Sequence, residues 1–215
     1  MARLMPPAKA LNPVHMRRHI KESFASTYLT IISIIQGVAL SALYSVVEPR
    51  YEHFGIAQWI MVAATLLLII ATWHLYMINA LAFKWVLSLM DSLVPFLLGT
   101  LELFVIECIT LDQQTWLLAL LVYYGATIPA YLNLRIRAVH DPDNQAVIGV
   151  IKKSWRWFHR WIYVTVVAQL SLWFASLTEL EPAVLRIVLP GLSLVNLVLV
   201  LIQSLFYWSA IQRVP

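Results

Sequence analysis

The feature that most constrains this chain is a succession of apolar stretches, each long enough to cross a bilayer, separated by short polar breaks. A hydrocarbon core about 30 Å thick takes roughly 20 helical residues. The pattern therefore predicts an all-α polytopic membrane protein with six transmembrane helices, at about 24–47, 57–81, 86–107, 115–137, 155–177 and 183–210. The first stops at Glu48-Pro49-Arg50, where proline cannot continue a helix. The fourth and fifth are joined by the only sizeable predicted loop, Arg137 to Ser154, which contains the turn-like His140-Asp141-Pro142-Asp143-Asn144. Residues 1–22 form a polar N-terminal segment, 23–210 the six-helix domain, and 211–215 a short tail. Ala39-Leu40-Ser41-Ala42 resembles a signal-cleavage sequence, but its apolar run is longer than the 7–15 residues of a signal core, so the helix is read as retained. Charged residues make up 12% of the chain and mean hydropathy is +0.77. A soluble domain carries about 25% charged residues. No stretch remains for a separate soluble domain.

Orientation follows from the Lys/Arg bias of the connections. Thirteen of the 15 basic residues fall on one side: five in the N-terminal segment, Lys84, six between Arg135 and Arg160, and Arg213. The other side has Arg50 and Arg186, beside Glu48, Glu52, Glu107, Asp112, Glu179 and Glu181. The count alternates correctly through six spans and places both termini in the cytoplasm. The net charge of +4 is thus explained by topology, and no nucleic-acid partner is expected. Trp59, Trp116 and Trp173 are expected at one headgroup level, and Trp85, Trp155, Trp157, Trp161 and Trp208 at the other. The single cysteine, Cys108, allows no internal disulfide.

A polar group in hydrocarbon is costly unless it is paired or wetted, so its helical phase is informative. At about 100° per residue, Ser26, Thr30, Ser33, Gly37, Ser41, Tyr44 and Glu48 share one narrow stripe along the first helix, with Gln36 off it. The stripe is either a packing seam of small residues or a face turned to water. In the third helix, Asp91 and Glu102 lie three turns apart and nearly eclipse each other. Two carboxylates on one face suit a cation or proton route. The structural alternative pairs Asp91 with Lys84 or Arg156 and sets Glu102 near the outer surface. The sixth helix aligns Arg186, Ser193, Asn196, Gln203 and Tyr207, expected mainly to form interhelical hydrogen bonds, and His74 is expected to be a packing residue. His15 and His19 have metal-like spacing but sit among Arg17 and Arg18, as in a basic segment facing anionic lipid. There is no metal-ligand cluster, phosphate loop or nucleophile–base set, so neither an enzyme nor a cofactor is expected.

Gln36-Gly37-Val38 through Val46-Val47-Glu48, Trp73-His74 and Pro95-Phe96 resemble features of bacterial homologues of the endolysosomal potassium-channel family. Ile34, Ile35 and Gln36 depart from that family's Phe-Ser-Asp signature. The resemblance implies a homotetramer in a bacterial cytoplasmic membrane, with helix one lining the pore. The expectation is an oligomeric, cation-conducting channel with Asp91 and Glu102 near the path. The alternatives are a secondary transporter of a small solute or a non-conducting partner subunit.

Overall fold

A computed structural model describes residues 13–85, 88–177 and 182–213. Residues 1–12, Glu179 and Glu181 lie outside that set, as do the side chains of His15 and His19. The chain forms α1 (Pro13–Val47), α2 (Ile56–Ala82), α3 (Leu89–Cys108), α4 (Gln113–His140), α5 (Gln145–Ser176) and α6 (Pro182–Ile211), with no strand among the described residues. All but α5 contain a segment long and apolar enough to cross a membrane. The first half of α5 carries Lys152, Arg156 and Arg160, and from Trp161 to Ser176 the helix has no charged residue.

Several predicted boundaries shift. α1 begins at Pro13, where proline suits a first helical turn, and α4 and α5 run through most of the expected 137–154 loop. Polar composition there marks emergence from the apolar layer and does not itself break a helix. The break is confined to Asp141-Pro142-Asp143-Asn144, where Asp141 accepts a hydrogen bond from the Asp143 amide at 3.1 Å. At the other end of the bundle Asp112 caps α4, accepting from the Thr115 amide at 2.9 Å and hydroxyl at 2.6 Å. These bonds hold its carboxyl below the usual carboxylate range, the Thr115 hydroxyl contributing most.

The helices close into a ring. α1 packs on α2, α2 on α6, α6 on α5, α5 on α4, α4 on α3 and α3 back on α1, with only minor contacts across the middle. One end of the ring is basic (Lys84, Arg135, Arg137, Arg156) and the other acidic (Glu48, Glu52, Glu107, Asp112). The acidic half is filled by an apolar core that includes Leu43, Leu68, Ile106, Trp116 and Leu120. The basic half packs aromatic rings, with Phe24 on Trp85 at 4.8 Å and Phe83 on Trp155 at 5.5 Å. Between them all six helices contribute to a cavity of about 150 Å³.

Candidate functional site

The inward face of α1 is Phe24, Tyr28, Ile32, Gln36, Ala39, Leu43 and Val46, all buried at three- and four-residue spacing. The predicted stripe lies roughly half a turn away. Ser26, Thr30, Ser33, Gly37, Ser41, Tyr44 and Glu48 are every one exposed, Tyr44 by 68%. A Cβ on Gly37 would meet nothing within 4 Å. Within the chain, therefore, the stripe is not a seam between helices. It faces outward along the whole span, flanked by Ile34, Val38 and Leu40.

The other helices present apolar side chains outward: Leu66 and Ile70 on α2, Phe96 and Leu97 on α3, Leu118 and Val122 on α4, Val164 and Val167 on α5, Val195 and Leu199 on α6. Thr100 and Ser171 interrupt this singly, and each returns its hydroxyl to a carbonyl of the preceding turn. On α1 the same back-bonding engages Thr30 with Ser26 O and Ser45 with Ser41 O. It softens the cost of these hydroxyls in lipid without removing the row of small and polar groups.

Behind α1 lies the polar network that fixes it. Gln36 donates from Nε2 to Glu102 Oε2 at 3.0 Å, and the Tyr123 hydroxyl lies 3.3 Å from Glu102 Oε1. Tyr123 also meets Thr72 Oγ1 at 2.5 Å, and Thr72 reaches Leu68 O at 2.8 Å. Glu102 is fully buried and makes no ion pair among the described residues. The Tyr123 hydroxyl donates to Glu102 Oε1, and the Thr72 hydroxyl donates to the Leu68 carbonyl. Glu102 is thus inside the bundle, not near its outer surface, because α3 turns that face toward α1, α2 and α4.

Asp91 opens α3 and is buried at 7% exposure. It accepts from the Ser88 amide at 2.6 Å, from Trp85 Nε1 at 3.2 Å and from Arg137 Nη1 at 2.5 Å. Its ionic partner is Arg137 of α4, not Lys84 or Arg156. Helix α3 starts three residues later than predicted, which makes Asp91 an N-terminal capping group aimed at the end of α4. Asn144 secures the same corner. Its amide bonds both the N–H and C=O of Lys84, at 2.8 and 2.9 Å, joining the α2–α3 turn to the α4–α5 turn.

The structure therefore brings Asp91 and Glu102 to the ring interior and leaves the α1 stripe outside it, so the two predicted sets do not share a path. His74 bonds Ser204 through Nδ1 at 2.9 Å, the expected packing role. Ser193 donates to Gln169, which donates to Leu117 O, linking α6, α5 and α4. Trp116, Trp85 and Trp155 are buried and are not interface side chains. Trp116 donates to Thr65 at 3.2 Å. α3, α4 and α6 continue through Pro95, Pro129 and Pro190 without the broken helices typical of transporter sites. No metal-binding cluster of His, Cys, Asp or Glu occurs among the described residues. Gln36, Thr72, Tyr123, Arg137 and Asn144 carry the polar architecture without having stood out in the sequence. Gln36 offered one signal: it is an amide in an apolar helix, set off the stripe of hydroxyls. The chain matches no family model, no curated protein sequence and no solved structure.

Proposed function

We propose that the protein is an oligomeric cation channel of a bacterial cytoplasmic membrane, a homotetramer of six-span subunits with both termini in the cytoplasm. Its path is lined by the outward face of α1. One observation carries this: α1 alone turns a continuous row of Ser, Thr, Gly and Tyr away from its own bundle, whereas the other helices turn aliphatic and aromatic side chains outward. Lipid has no hydrogen bonds to offer such a row. A central axis shared by symmetry-related copies would cover or wet it. Exposed Glu48 stands at the acidic end of the row, so a ring of four would favour cations entering there. Asp91 and Glu102 serve this path from behind, holding α3 and α1 in place.

The test is flux into proteoliposomes for Ser33→Leu. A bulky apolar side chain in a wetted path narrows and dries it, so cation flux falls at least roughly tenfold while the oligomer persists. Loss of the oligomer before loss of flux would instead make the row a seam between subunits.

A further inference from the structure

The cavity inside the ring is separate from the outward face of α1, and its chemistry is that of a binding site. It measures about 150 Å³, the size of a cavity that accommodates benzene. Cavities that stay empty are apolar, and this one carries Asn79, Asp91, Thr165 and Gln203 in its lining. Tyr28, Tyr76, Trp85, Tyr124, Tyr131 and Trp161 bring rings to it from α1, α2, the α2–α3 turn, α4 and α5. Tyr28 and Tyr76 meet edge to face at 5.9 Å and form a corner of π surface.

Five polar atoms at the walls have no hydrogen-bond partner: the hydroxyls of Tyr76, Tyr124, Tyr131 and Thr165, and Gln203 Nε2. Tyr124, Thr165 and Gln203 are exposed by only 5%, 3% and 5%. Orphaned groups this deeply buried are rare in folded proteins and call for an occupant. Asp91 also lines the space, with its charge matched by Arg137, which does not. Access is from the basic end, where the lining residues Asn79, Met90, Asn133 and Trp161 are partly or fully exposed. The deep lining residues Leu68, Thr72, Leu98 and Tyr123 are buried.

We propose that this cavity binds a small onium compound carrying an oxygen acceptor, an amino alcohol of choline's size. Ring faces attract a quaternary or protonated ammonium. An acceptor oxygen on the same molecule satisfies the Gln203 Nε2 donor. A neutral molecule of equal shape would forgo the first interaction, and a bare tetraalkylammonium the second. Bound between all six helices, the ligand also braces the ring against which α1 packs, so it stabilises the subunit independently of conduction.

The experiment is equilibrium binding to the full chain in nanodiscs, followed by tryptophan fluorescence, since Trp85 and Trp161 line the space. The probes are choline, its uncharged isostere 3,3-dimethylbutan-1-ol, and tetramethylammonium. Choline is expected to saturate at one per chain and the isostere to bind at least roughly tenfold more weakly. Gln203→Leu removes an unpartnered donor and leaves the fold intact. It should weaken choline by roughly tenfold while leaving tetramethylammonium unchanged. Trp161→Leu should weaken both cations. Absence of saturable choline binding would overturn the proposal and leave the cavity to water. Equal affinity for choline and the isostere, or a Gln203→Leu chain that binds choline like the parent, would overturn it as well.

Discussion

At the scale of single residues, the arrangement turns on Gln36, one position before Gly37 in sequence and about 100° round the helix from it, on the buried face. Its amide ties α1 to Glu102, so the face that packs and the face that is offered outward are set by one interaction. Gln36→Leu would strip Glu102 of that donor inside an apolar bundle. The expected loss is about 1–3 kcal/mol in thermal unfolding of the detergent-solubilised protein, the usual cost of orphaning a buried polar group. Glu102→Gln should cost less than Gln36→Leu, because the amide keeps the shape of the side chain and still offers Gln36 an acceptor oxygen. A larger loss for Glu102→Gln would contradict that ranking. Asp91→Asn breaks a partly buried pair and leaves Arg137, 25% exposed, without its counter-charge, so the loss should fall below the roughly 3–5 kcal/mol seen where a fully buried pair loses one partner. The same unfolding measurement checks it. The carboxylates drew attention in the sequence because charge inside an apolar run is rare. Their partners did not, because Tyr, Thr and Gln are ordinary in membrane helices and only the ring closure brings Tyr123 and Thr72 against Glu102.

Helices were the most legible layer, since apolar length alone announces a span. Five of the six predicted segments carry spans by length and composition, and the ends set by Glu48-Pro49 and by Asp112 fall within two residues of expectation. The starts of α1 and α5 were obscured because a helix that leaves the apolar layer loses its hydrophobic signal without losing its backbone hydrogen bonds. Burial of Trp116, Trp85 and Trp155 was likewise hidden: a tryptophan near a span end is enriched at headgroups, but neighbouring helices decide which way it points. The seat of α1 depends on Gly99, where a Cβ would collide with the Ile35 Cγ2 methyl on the facing helix. Gly99→Ala should destabilise by about 1–3 kcal/mol through overpacking, and adding Ile35→Ala should recover most of it. Failure of the double variant to recover would mean that the α1–α3 approach is not what Gly99 serves.

For the whole molecule, the decisive property is that a closed ring of six helices completes its own interior and yet leaves one polar face unused. The phase of the α1 stripe was readable from sequence. Its direction was not, because periodicity gives a face and only the packing of α2 and α3 says that this face points away. A seam inside the chain and a surface toward other copies look identical in a helical projection. The central claim, that the outward face of α1 meets water at a shared axis, is tested most directly by thiol accessibility. Cys108 is buried and fully shielded, so the parent chain provides a quiet background. Ser33→Cys, Ser41→Cys and Val195→Cys would be exposed to a charged, membrane-impermeant thiol reagent in proteoliposomes. Val195 is 53% exposed on α6, among apolar neighbours. Modification and loss of cation flux at positions 33 and 41, with position 195 unreactive, is the predicted result. Positions 33 and 41 as inert as position 195 would contradict it.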